Sequence, residues 1–147
     1  MLLLMAALHL LMIDDDEQDR LLVTQVLAEY GPRVTLTTRG EAATALTLLR
    51  DSSQAAPQVI LLDLQLPGVG GLELLDILKA DTELVHIPVV ILSSSDRPDH
   101  IREAYARHAS SYIVKGKGYD DLRRQLTTFL QFWNVVTPPP SRDQRLS

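Results

Sequence analysis

An acidic run, Asp14-Asp15-Asp16-Glu17, follows one apolar stretch of this chain, and a single aspartate, Asp63, follows another. Ser93 ends a third such stretch and Lys115 a fourth. Brought together, these side chains would suit phosphoryl chemistry. Crowded carboxylates repel one another unless a cation neutralises them, and hard oxygen donors suit Mg²⁺. That ion keeps several waters and commonly pairs a few carboxylates with a phosphoryl oxygen. A carboxylate can also be the nucleophile, forming an acyl phosphate. Phosphoryl transfer is mainly positioning and charge stabilisation, so the Lys115 ammonium and the Ser93 hydroxyl would serve the oxygens of an arriving group. Taken singly, each residue has a plainer reading. The acidic run suits a helix N-terminus, Ser93 a helix cap, Asp63 a solvated turn and Lys115 an open surface. The run also lacks the glycine and terminal glutamate of a calcium-binding loop. What decides between these readings is where the chain puts them.

Five short apolar runs read as strands: Leu8–Ile13, Val34–Thr37, Val59–Leu62, Val89–Leu92 and Ser111–Val114. Two of them, Val59–Leu62 and Val89–Leu92, are apolar throughout, as a parallel strand covered on both faces requires. Between the strands, apolar residues recur at helical spacing. They are Leu21, Leu22, Val26 and Leu27, stopped by Gly31-Pro32; then Ala42, Ala45, Leu46 and Leu49; then Leu72, Leu75, Ile77 and Leu78. Ile101, Ala104, Tyr105 and His108 mark a fourth helix, and Leu122, Leu126, Phe129 and Leu130 a fifth that starts near Asp120. This alternation predicts an α/β fold: a doubly wound, five-stranded parallel sheet of flavodoxin-like order 2-1-3-4-5 with helices on both faces. Ligands of such sheets bind beyond the carboxyl ends of the strands, where the winding direction switches. Here the switch falls between strands one and three. Asp14, Asp15, Asp63, Ser93 and Lys115 are therefore predicted to meet at one edge of the sheet.

The 147 residues suit one domain, with 46% apolar and 22% charged side chains. A net charge of −5 disfavours nonspecific attraction to nucleic acid. Cysteine is absent, which rules out disulfide and thiol chemistry and fits a cytoplasmic location. Met1 to Ile13 holds one polar residue, His9, but lacks the basic start of a signal peptide. It is also shorter than the roughly 20 residues that cross a membrane. Residues 1–7 are expected to be an apolar extension, 8–137 the domain and 138–147 a flexible polar tail. The histidines show no ligand spacing, Arg123-Arg124 read as a solvated helix face, and Gly70-Gly71 as the turn into helix three.

The strings Met12-Ile13-Asp14-Asp15-Asp16, Leu62 to Leu72, Pro88 to Ser93 and Tyr112-Ile113-Val114-Lys115 resemble the receiver domains of two-component response regulators. The resemblance spans about Leu8 to Gln131. It implies that Asp63 is the phosphoacceptor and that Asp14, Asp15 and Asp63 bind Mg²⁺ with the Gln65 carbonyl. Ser93 would be the switch hydroxyl, Lys115 the phosphate-contacting cation and Tyr112 the aromatic switch residue. Gln65 and Ser95 would tune self-catalysed dephosphorylation. The implied donor is a sensor histidine kinase or a phosphotransfer protein. Phe132-Trp133-Asn134-Val135-Val136-Thr137-Pro138-Pro139 is similar to the end of stand-alone regulators associated with bacterial phytochromes. Those are often homodimers, which makes Phe129, Phe132 and Trp133 interface candidates.

One position departs from the family pattern. Receivers usually carry proline after the active-site lysine, in a cis peptide, whereas this chain has Gly116. A cis bond before a non-proline residue costs about 2.5–4 kcal/mol, so a trans bond and a mobile Gly116-Lys117-Gly118 loop are expected. A phosphorylation-independent interaction module is the alternative reading. An independent phosphatase is disfavoured, because Asp63-Leu64-Gln65 has no second carboxylate two positions on.

Overall fold

Each long strand sends alternate side chains to opposite sides of the sheet, and both sides are apolar. The structure, a computed structural model, describes residues 7–133. In strand β1 (Leu8–Ile13), Leu8, Leu10 and Met12 join one core cluster while Leu11 and Ile13 join the other. Strands β3 (Val59–Leu62) and β4 (Val89–Ser93) divide in the same way. Their unbroken apolar runs follow from this, since neither face meets water. Strands β2 (Val34–Arg39) and β5 (Ser111–Val114) complete an all-parallel sheet of order β2-β1-β3-β4-β5.

Helices α1 (Glu17–Ala28) and α5 (Gly118–Phe132) cover the first cluster, through Val23, Val26, Leu122, Leu126 and Leu130. Tyr119 and Arg123 of α5 both hydrogen-bond Glu29, just past α1, and so join the two helices at the surface. Helices α2 (Ala42–Leu49), α3 (Gly71–Ala80) and α4 (Pro98–Ala106) cover the second cluster. The expected fold class and strand order are those observed.

Element ends differ from the sequence reading in four places. Strand β2 runs on through Thr38 and Arg39, polar residues on an edge strand that apolar patterning does not mark. Strand β4 takes in Ser93, and α5 starts at Gly118 rather than near Asp120. Helix α4 ends at Ala106, and His108 lies beyond it with φ 70°, the left-handed backbone that often closes a helix. The N–H of Ala109 then bonds the Ala104 carbonyl at 3.0 Å. Two assigned core positions also differ: Leu21 and Tyr105 are exposed, while Leu74, absent from the predicted stripe, is fully buried. Residues 1–6 of the extension, and the segment 134–147 that holds the tail and most of its motif, lie outside the described residues.

Candidate functional site

Asp14 follows β1 directly, and its backbone N–H bonds the Arg39 carbonyl at 3.0 Å. Asp63 follows β3, its N–H bonding the Ile13 carbonyl at 2.9 Å. These sheet bonds fix two carboxylates at the ends of adjacent strands. Both are buried, at 1% and 7% exposure, while Asp15 beside them is exposed. One oxygen from each of Asp14, Asp15 and Asp63 lies within 4.8 Å of the others. Asp16 does something different: its carboxylate caps α1 by accepting from the N–H groups of Gln18 at 2.9 Å and Asp19 at 3.3 Å. The acidic run thus divides: Asp16 caps the helix, and Asp14 and Asp15 join the carboxylate cluster with Asp63.

Lys115 leaves β5 with its N–H bonded to the Ser93 carbonyl at 2.8 Å. Its ammonium stands 2.7 Å from Asp14 Oδ2 and 3.4 Å from Asp63 Oδ2. A third carboxylate, Asp19 in the first turn of α1, meets it at 2.7 Å. Burial pushes the Asp14 carboxyl up from 3.8 to about 6, against hydrogen bonds from Lys115 and Asp16 that pull it down. Burial lowers the Lys115 ammonium too, but the bonds from Asp14 and Asp19 and the charges of Asp14 and Asp63 outweigh it. The net result is an ammonium held above its ordinary range. One cation is thus shared among three carboxylates.

Three residues of this site went unread in the sequence. Asp19 carries only the faint signal of an acid in a first helical turn. Arg20 donates to the Asp14 carbonyl at 2.7 Å, from a position that looks like solvated helix. Gln125 bonds both peptides flanking Lys115: its Nε2 donates to the Val114 carbonyl, and its Oε1 accepts from the Gly116 N–H at 2.8 Å. No periodicity marks any of these, because each reaches across from another element.

Gln65 is exposed, and its N–H donates to Asp63 Oδ1 at 3.2 Å. Ser93 is fully buried, and its Oγ accepts the Ser95 N–H at 3.3 Å. The Ser95 hydroxyl shares a 2.6 Å hydrogen bond with His100 Nδ1 on α4, and Tyr112 donates to the Ser95 carbonyl at 2.8 Å. The loop after β4 is therefore bonded to α4 and β5 at one residue. Gly71 closes the opposite loop: a Cβ there would stand 2.4 Å from the Asp63 carbonyl oxygen and 2.5 Å from Leu64 Cα. Only glycine lets α3 start this close to β3. The Lys115–Gly116 peptide is trans, since no cis bond occurs among the described residues.

The interface candidates fall on a separate feature. Phe129 is buried on the inner side of α5, Trp133 is half-buried and Phe132 is 78% exposed. With Val90, Ile113 and Gln125 they line an apolar groove of about 710 Å³ beside the β5 edge. The Phe132 and Trp133 rings meet edge to face, 5.6 Å apart.

The chain is also similar to known proteins. The sequence pattern described as the response regulator receiver domain matches residues 10–127. The chain is 32% identical over 127 residues to the probable methanogenesis regulatory protein FilR2 of Methanothrix harundinacea, covering 84% of this chain and 82% of that one. It is 30% identical over 135 residues to the response regulator Rcp1 of a Synechocystis strain, covering 88% and 92%. Among solved structures, the phosphorylated cyanobacterial phytochrome response regulator RcpA superposes with a TM-score of 0.83 at 31% identity, over 92% of this chain and all of that one. The Mn²⁺-bound form of Rcp1 superposes with a TM-score of 0.79 at 28% identity, over 90% and 99%. No helix among the described residues is long and apolar enough to cross a membrane. This chain belongs to the response regulator receiver domain family.

Proposed function

We propose that this receiver is a phosphorylation-operated switch with Asp63 as its phosphoacceptor. The observation that carries the reading is the approach of Asp14, Asp15 and Asp63 oxygens to within 4.8 Å of one another, beside the shared Lys115 ammonium. Three hard oxygen donors with two buried carboxylates fit a divalent ion of the Mg²⁺ class. Asp14, Asp15 and Asp63 would hold it, together with the Gln65 carbonyl. When bound there, Mg²⁺ supplies positive charge to the carboxylates and to the phosphoryl oxygens.

In the transfer itself, an Asp63 carboxylate oxygen attacks the phosphorus of a phosphohistidine on a sensor kinase or phosphotransfer protein. The new P–O bond forms as the P–N bond breaks, and the imidazole leaves with the electron pair and takes up a proton. Lys115 then exchanges part of its carboxylate company for a phosphoryl oxygen, and the Ser93 hydroxyl turns inward to another. Because the Ser95 N–H rests on Ser93 Oγ, that turn pulls on Ser95 and hence on His100 and Tyr112. The β4–α4 loop thus carries the change towards α4 and β5. Water attack on the phosphorus resets the switch, at a rate tuned by Gln65 and Ser95.

The output is a change in partner preference of the face built by α4, β5 and α5, including self-association through Phe129, Phe132 and Trp133. Similarity to the cyanobacterial phytochrome response regulator RcpA supports a phytochrome-type kinase as the upstream partner. The reading is tested with a small phosphodonor and divalent ion. Wild type should gain one phosphoryl group per chain and Asp63→Asn none. Undiminished labelling of Asp63→Asn would refute the site.

A further inference from the structure

Receivers usually constrain the lysine loop with a proline, and this chain cannot. Gly116 has no ring to fix its φ, and a Cβ at this position would stand 2.4 Å from Asp121 Cβ and 3.2 Å from Gln125 Oε1. Two side chains of α5, Asp121 and Gln125, occupy the gap. Gln125, about two turns into α5, donates through Nε2 to the Val114 carbonyl and accepts the Gly116 N–H at 2.8 Å. These are the peptide groups immediately before and after Lys115. With the Lys115 N–H already on the Ser93 carbonyl at 2.8 Å, the lysine backbone is held from both sides. Asp121 adds a bond from the Lys117 N–H at 3.1 Å, one residue further along.

We propose that Gln125 is a positioning residue for Lys115, setting where its ammonium meets the phosphoryl group and doing through hydrogen bonds what proline does elsewhere. Two features point to this role beyond ordinary packing. An amide is the one side-chain group that donates and accepts at neighbouring atoms in a fixed fork, which is what clamping two peptides needs. Gln125 also lines the groove beside Phe129 and Trp133, so the residue that sets the lysine belongs to the partner face. An alternative holder of Lys115, Asp19, contacts only the ammonium and leaves the backbone free.

This inference rests on phosphorylation at Asp63, and its test separates the two. Gln125→Met keeps length and apolar bulk but makes neither bond; Gln125→Glu keeps the acceptor and offers no proton to Val114 at neutral pH. Both are measured against wild type and Asp63→Asn for labelling rate by a small phosphodonor, Mg²⁺ affinity, thermal midpoint and Gly116 amide exchange. The expected result is a labelling rate at least tenfold lower in Gln125→Met and reduced in Gln125→Glu. Mg²⁺ affinity should stay within twofold, because its carboxylates sit on other strands. Gly116 exchange should quicken at least tenfold in Gln125→Met. A wild-type labelling rate in either variant overturns the proposal, as does an equal fall in Mg²⁺ affinity and labelling in both, which marks general damage. Labelling retained in Asp63→Asn would instead sink the phosphoacceptor assignment.

Discussion

Asp14 and Lys115 face each other 2.7 Å apart in a crowded group of charges, with Asp63 and Asp19 at hand. Burial of Asp14 raises its carboxyl to about 6, so below that pH it carries a proton that a divalent ion must displace. Mg²⁺ affinity should therefore fall as pH falls, by about tenfold between pH 7 and pH 5 for one displaced proton. Calorimetric titration at the two pH values measures it, and a flat profile would show that Asp14 is not a ligand. The ion-free protein shows the opposite sign. A carboxyl whose folded value exceeds its unfolded one contributes stability that is full below the unfolded value of 3.8 and lost as pH rises through about 6. Residue identity at this site was legible because strand ends announce themselves: an apolar run stops and a polar residue follows. Asp14, Asp15, Asp63, Ser93 and Lys115 all carry that mark. Asp19 and Gln125 do not, because their roles depend on the approach of α1 and α5 to β5, a tertiary distance that one-dimensional spacing does not encode.

Of the two edge strands, β5 was read with its observed ends and β2 was not. Strands β3 and β1 match their predicted ends because every residue is buried or nearly so. Strand β2 lies at an edge and ends in Thr38 and Arg39, where polarity hides the strand. Helix α4 was read too long, since His108 keeps helical spacing while its backbone has already turned left-handed. The β3–α3 junction is the connection on which the site leans most. Gly70-Gly71 was read as the turn into α3; Gly70 is the N-cap and Gly71 the first residue of the helix, and spacing could not say that Gly71 sits against the Asp63 carbonyl. Gly71→Ala forces a methyl to within 2.4 Å of that oxygen, so α3 must retreat or Asp63 must tilt. Overpacking of this kind costs about 1–3 kcal/mol. The urea midpoint should fall accordingly with an unchanged slope, and phosphodonor labelling should slow beyond what the stability loss explains. Unaltered stability and labelling would mean that the loop yields freely.

At the scale of the molecule, the two ends of the sheet order are unlike each other. The β2 edge is lined by polar side chains, whereas the β5 edge opens onto an apolar groove with Phe132 78% exposed at its rim. A large exposed aromatic ring next to a groove of about 710 Å³ is the arrangement that protein partners use as an anchor. The carboxylate cluster and this groove meet at β5, whose Tyr112 bonds the β4–α4 loop and whose Ile113 lines the groove. A shift at Ser95 therefore has a short route to the surface, and the expected consequence is self-association that depends on phosphorylation. Truncating or charging a central aromatic anchor typically costs about 2 kcal/mol, roughly thirtyfold in affinity. Phe132→Asp should weaken dimerisation by about that factor in the phosphorylated protein while its labelling rate stays at the wild-type value, because the ring lies far along α5 from Lys115. Sedimentation of wild type, Phe132→Asp and Asp63→Asn, each with and without phosphodonor, separates the possibilities. Tighter association only in phosphorylated wild type supports the switch. Equal association of wild type and Asp63→Asn under both conditions, abolished by Phe132→Asp, would make the β5–α5 face a constitutive interface that Asp63 does not control.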